Sequence, residues 1–125
     1  MMVGIGIDVQ SIEHFSTLTS LICSDVVFTE HEHSHGQRSV AGLVPSLTGM
    51  YAAKEALLKA LPRMPVPCHW GDIEVDHDGN GRPLFRTHGQ LAQWMRSVGW
   101  RATPSISHSG AYVVAVAVIE QEDGC

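Results

Sequence analysis

Ser46-Leu-Thr-Gly-Met50-Tyr-Ala-Ala-Lys54-Glu55-Ala-Leu-Leu-Lys59-Ala-Leu61 is the stretch on which the fold turns. Met50, Leu57 and Leu61 fall on one stripe at helical spacing. Ser46 or Thr48 offers an N-cap, and Pro62 stops the helix because it cannot continue the hydrogen-bond ladder. Alanines at 52, 53, 56 and 60 leave room for another element to approach closely. Glu55 and Lys59 are four apart and share a face.

Outward from this helix the chain reads as strands and shorter helices. Before it, Met2-Val-Gly-Ile-Gly-Ile-Asp8 alternates: Val3, Ile5 and Ile7 share one face and glycines occupy the other. That predicts a strand with one buried face and one face closely approached, delivering Asp8 at its end. Ile12, Phe15 and Leu18 predict a helix within Ser11 to Leu21. Thr29 and Glu32 form a capping-box pattern at a short helix start. After the central helix, 72–75 alternates as a strand, Asp78-Gly-Asn-Gly81 signals a turn, and Leu84-Phe85 continue as its partner. Leu91, Trp94, Met95 and Val98 mark a second amphipathic helix, ended by Gly99. Ser105 to His108, a Ser109-Gly110 turn and Tyr112 to Ile119 predict a hairpin whose apolar last strand belongs at the centre of its sheet. The order predicts an α+β fold: a mainly antiparallel sheet packed with a long helix, in one domain spanning 1–125.

Composition agrees with one folded unit. The 125 residues are 44% apolar, enough for a core. A chain this short buries a modest share of its surface, so self-association would help it. No apolar run reaches the roughly 18–20 residues a bilayer demands, and Met1 to Gly4 lack the basic start of a secretory signal. Cys23, Cys68 and Cys125 are odd in number and far apart, against a disulfide framework or a zinc knuckle. These features predict a cytoplasmic protein. The net charge of −5 argues against a nucleic-acid partner.

An isolated Glu-x-x-x-Lys is ordinarily a surface salt bridge. Here Asp8 adds a second carboxylate behind glycines. Two carboxylates and lysines suit Mg²⁺ bridged to a pyrophosphate, because the hard cation takes oxygen ligands and lysines neutralise the remaining phosphate charge. Five motifs then occur in order: Gly-Ile-Asp8, Phe28-Thr-x-x-Glu32, Ala52-Ala-Lys-Glu-Ala-x-x-Lys-Ala60, Asp72-Ile-Glu-Val75 with Gly81-Arg82-Pro83, and Ser105-Ile-Ser-His108-Ser109. Together they resemble the holo-acyl-carrier-protein synthases along nearly the whole chain. The resemblance implies transfer of the 4′-phosphopantetheine arm of coenzyme A to a serine of an apo acyl carrier protein, with release of 3′,5′-ADP. It implies a homotrimer with active sites between subunits. By the same resemblance Asp8 and Glu55 hold Mg²⁺, Lys59 contacts the coenzyme A phosphates and Lys54 supports that site. Gly81, Arg82 and Pro83 border the nucleotide, and His108 lies near coenzyme A across the interface. The proton acceptor for the serine is a carboxylate or a metal-bound water.

The chain departs from the family pattern in places. His14 and Met50 stand where the family has arginines, and Leu61-Pro62 replace a glycine after the Lys-Ala motif. Arg38, Lys54, Lys59 and Arg63 are the candidates for a remaining basic patch toward an acidic carrier. Two rival readings follow: a non-catalytic trimeric relic with weakened coenzyme A binding, and a transition-metal module built on His31-Glu-His-Ser-His35, since imidazole suits Zn²⁺, Ni²⁺ or Cu²⁺.

Overall fold

The computed structural model describes residues 1–122; Cys125 lies outside them. Strand β1 (Met2–Ser11) leads into two short helices, α1 (Ile12–Ser16) and α2 (Thr19–Ile22). Helix α3 (Glu30–Arg38) precedes the long helix α4 (Leu43–Ala60). A single 3₁₀ turn at Trp70–Asp72 opens the hairpin of β2 (Ile73–His77) and β3 (Pro83–Thr87). Helix α5 (Gly89–Val98) and the hairpin of β4 (Trp100–Ser109) and β5 (Tyr112–Gln121) complete the chain.

The architecture is α+β with antiparallel pairing throughout, divided between a three-stranded sheet, β1-β5-β4, and a two-stranded sheet, β2-β3. The apolar last strand is central, as its composition predicts. Its Val113, Ala115, Ala117 and Ile119 are fully buried under α4, whose Leu47, Ala52, Ala53, Ala56 and Leu57 meet them. Burying one such leucine contributes about 1.5–3 kcal/mol.

Three local expectations change. Helix α4 begins three residues before Ser46, at Leu43, with Gly42 at its N-cap in the left-handed region (φ 94°). Pro45 is tolerated because the N–H it lacks is one of the orphans of a helix start. Thr48 does not cap; its hydroxyl donates back to the Val44 carbonyl. The helix expected from Ser11 breaks after Ser16, where the Ser16 and Thr17 hydroxyls donate to the carbonyls of Glu13 and His14 and compete with the backbone ladder. The third change concerns β1. Its glycine face is the packed one, and Ile5, Ile7 and Val9 stand more than half exposed. Gly4 and Gly6 lie against the carbonyls of Ala60 and Ala56, where any Cβ would collide. The glycines therefore allow the strand to lie flush on α4, and the isoleucine face is left open.

Candidate active site

The close packing of β1 on α4 brings Asp8 against the last turns of the helix. Lys59 Nζ donates to Asp8 Oδ1 at 2.9 Å and to the Ile7 carbonyl at 3.0 Å. Gln10, two residues along the same face, donates to Asp8 Oδ2 at 2.6 Å. Asp8 is buried while the Lys59 side chain is half exposed, so the carboxylate is fixed and the ammonium is free to turn outward. Glu55 sits one turn back on the helix, half-buried, facing the Tyr51 phenol. Burial first, then Glu55, then Asp8, push that phenol above its ordinary pKa. Of the predicted trio, Asp8 and Lys59 meet directly, and Glu55 lies one turn back on the same helix as Lys59.

The donor chemistry suits Mg²⁺. The chain offers two carboxylates there, and among the described residues no three His, Cys, Asp or Glu side chains converge to hold an ion. Mg²⁺ is commonly held by one or two carboxylates and completes its shell with water and phosphate oxygens. The Lys59 ammonium already shows that the position beside Asp8 accepts a cation.

Lys54 is the correction. Its side chain is fully buried, and its ammonium donates to Glu32 Oε1 at 2.8 Å, the Val27 carbonyl at 2.7 Å and the Trp70 carbonyl at 3.3 Å. Burial pushes its pKa down and Glu32 opposes that shift. A group so enclosed contacts no phosphate. Glu32, read from sequence as a capping residue, does cap α3 through Thr29 but also receives Lys54 and the Val75 amide. No local spacing in the sequence marks that second role.

Gly81, Pro83 and His108 gather at a separate cavity of about 580 Å³, which none of Asp8, Glu55 and Lys59 lines. Arg82 is exposed beside it, on the turn that Asp78 ties by accepting from the Asn80 and Arg82 amides. His108 hydrogen-bonds the Pro45 carbonyl at 3.2 Å and lies against Gly49, whose missing side chain makes the room. Within one chain the predicted site residues therefore form two groups. Asp8 on β1 and His108 on β4 flank the central strand, paired with Ala115 and Val113 respectively. Sequence reasoning missed Gln10 and His77, and read His35 only as part of a metal module; His35 and His77 complete the cavity wall.

The imidazoles of the metal-module reading diverge. His31 pairs with Asp76, His33 meets the Ile22 carbonyl and His35 stacks on His77. Consecutive alternate positions on a helix are about 200° apart, so His33 points away from the face that His31 and His35 share, and those two are engaged by different partners.

The comparisons with known proteins meet this geometry. Residues 4–117 match the ACPS model of the 4′-phosphopantetheinyl transferase superfamily. A holo-[acyl-carrier-protein] synthase of Kocuria rhizophila is 33% identical over 129 residues, spanning 99% of this chain and 97% of its own length. One of Moorella thermoacetica is 42% identical over 76 residues, a match spanning 60% of this chain and 59% of that protein. The structure of a Chronobacterium ammoniagenes ACPS–CoA complex superposes with a TM-score of 0.81 at 29% identity, over 98% of this chain and 99% of the other. The chain belongs to the 4′-phosphopantetheinyl transferase superfamily, within its ACPS family. Its enzyme class is that of the holo-[acyl-carrier-protein] synthases.

Proposed function

We propose that this chain transfers the 4′-phosphopantetheine arm of coenzyme A to a serine of an apo acyl carrier protein, using Mg²⁺ held by Asp8 and Glu55. The observation that carries it is the Asp8–Lys59 junction beside Glu55. It combines a fixed carboxylate, a second carboxylate and a mobile cation, the set a pyrophosphate needs. Bound Mg²⁺ would supply Lewis-acid stabilisation of charge on the pyrophosphate oxygens. Asp8, oriented by Gln10, and Glu55 would hold it. Lys59, released from Asp8, would turn to the phosphates. The serine oxygen gives up its proton to a carboxylate or a water at the site and forms the new bond to the β-phosphorus as the bond to the 3′,5′-ADP oxygen breaks. Lys59 offsets the negative charge that the leaving group gains. Gly81, Arg82, Pro83 and His108 would receive the nucleotide.

The chain acts as one domain and as a homotrimer. Two observations support the trimer. Ile5, Ile7, Val9 and Tyr112 are each more than half exposed on one sheet face, a contiguous apolar surface of the kind that marks an interface. The carboxylate group and the nucleotide cavity also lie apart in a single chain, so a site shared between neighbours would join one half from each. Among the described residues no helix is long and apolar enough to cross a membrane; the cytoplasm, where coenzyme A and carrier proteins meet, is the proposed location.

Intact-mass measurement with coenzyme A, Mg²⁺ and a panel of apo carrier proteins tests the reaction. A carrier should gain one phosphopantetheine arm with the wild type, and neither Asp8→Ala nor Glu55→Ala should support it. No gain with any carrier, together with no Mg²⁺-dependent coenzyme A binding, would leave the relic reading standing.

A further inference from the structure

The cavity beside His108 has an unusual wall. His35 from α3 and His77 from β2 stack face to face, ring centroids 3.7 Å apart and planes within 5°. His77 Nδ1 is buried with no hydrogen-bond partner among the described residues. Among the described residues Arg38 is the one Lys or Arg in the cavity lining, with Arg82 exposed at its rim, and Met50 lies nearly buried in its wall. A polyanion entering here meets little permanent positive charge on the wall itself. The imidazoles are the other groups of that wall that can gain a positive charge.

We propose that the stacked His35–His77 pair is a proton-accepting anion site, which takes up a proton as a phosphorylated ligand enters the cavity. This rests on the reading of the cavity as the coenzyme A site. The surroundings explain why the pair is uncharged beforehand. Burial, with Arg38 and His31 on α3, holds His35 below its ordinary value near 6.5. Burial and the neighbouring His35 do the same for His77, with His31 adding to it. Asp76 and Asp78 oppose these effects, but Asp76 is engaged by Arg86 and His31. His108 faces the cavity from β4. A ligand phosphate reverses the balance, because it attracts a proton to one ring. A second proton is disfavoured by like charges 3.7 Å apart. Uptake therefore stops near one proton, and the pair titrates as a unit. The orphaned Nδ1 gains a use as the proton site or as an acceptor.

Isothermal titration of coenzyme A into the wild type, in buffers of different ionisation heat near pH 7, counts the protons exchanged. Variants that lack both rings, such as His35→Gln/His77→Asn, provide the comparison, so the ligand's own phosphate titration cancels. The wild type should take up about half to one more proton than they do. Its affinity should fall as pH rises, by up to about tenfold per unit across the window between the free and bound pKa values, since uptake of one proton sets that slope. NMR titration of the wild-type imidazoles, with and without coenzyme A, reads the same shift without relying on a variant. Equal proton counts in wild type and variants, or His35 and His77 titrations that coenzyme A leaves unmoved, would overturn the proposal while leaving the transferase reading intact. Absence of coenzyme A binding at every pH would overturn both.

Discussion

Lys54 and Lys59 stand five residues apart in one motif on one helix, and they have opposite fates. Lys54 and its partner Glu32 are both fully inaccessible, whereas Lys59 is 52% exposed beside an Asp8 that is 10% exposed. Five residues advance a helix by about 500°, which places the two side chains about 140° apart. One turns into the core and the other to the sheet edge. The same residue type thus stabilises the fold in one place and stays available for chemistry in the other. What decides is the element each faces: α3 and the 3₁₀ turn enclose Lys54, while Lys59 reaches the edge strand β1 and stays half exposed.

The largest expected effect lies on the buried side. Lys54→Met should destabilise the protein by about 3–5 kcal/mol, because it leaves the Glu32 carboxylate buried without a cation. Denaturant unfolding measures it. Restoration of stability by the double variant Lys54→Met/Glu32→Gln would show that the unpaired charge, not packing, is the cause. An unchanged unfolding midpoint in the single variant would break the contrast with Lys59.

Next is the carboxylate that no lysine neutralises among the described residues. Glu55→Gln should lower the transfer rate by about 10²–10³-fold, the scale seen when one charge-stabilising group is removed. Its melting temperature should stay within a few degrees. A large loss of stability with the rate retained would move Glu55 to the structural side of the comparison.

Lys59→Ala should destabilise by about 1–2 kcal/mol, well short of Lys54→Met, because its ammonium is half exposed and the buried Asp8 keeps its bond from Gln10. Its KM for coenzyme A should rise several-fold, and the increase should shrink at high salt. Steady-state kinetics and unfolding on one preparation separate the two outcomes.

The smallest effect concerns acid. Arg86 holds Asp76 far below the usual carboxylate range. Burial alone would raise Glu74, but hydrogen bonds from Thr29 and His88 outweigh it and lower its pKa. Both folded values lie below the unfolded ones, so their contribution is fully present above about pH 4.5 and is lost as pH falls through the folded values. Asp76→Asn should flatten the acid limb of a stability–pH curve. An unaltered limb would mean that the Asp76–Arg86 pair contributes nothing, like many surface pairs.

Much of the fold was legible in the amino-acid order. The apolar run from Tyr112 to Ile119 predicted a central strand, Gly99 a helix stop with φ 72°, and Thr29 with Glu32 a capping box; all three are present. The meeting of Asp8 with Lys59 was made by the packing of β1 on α4. Other features were not legible because they depend on distant partners. Lys54 reads like Lys59 until Glu32, 22 residues away, is seen to enclose it. His35 and His77 are ordinary polar positions until α3 and β2 bring their rings together. The isoleucines of β1 look like core residues because alternation shows that two faces differ, not which one is covered.

By itself the sequence determined the elements, their order, the family and the residue types that chemistry requires, because those rest on local periodicity, turn residues and short motifs. Only the tertiary structure decided which lysine is free, which face of β1 stays open and which histidines share a wall. Those outcomes depend on burial and on like or unlike charges meeting across tens of residues, and side-chain environment is a property of the packed chain rather than of any segment.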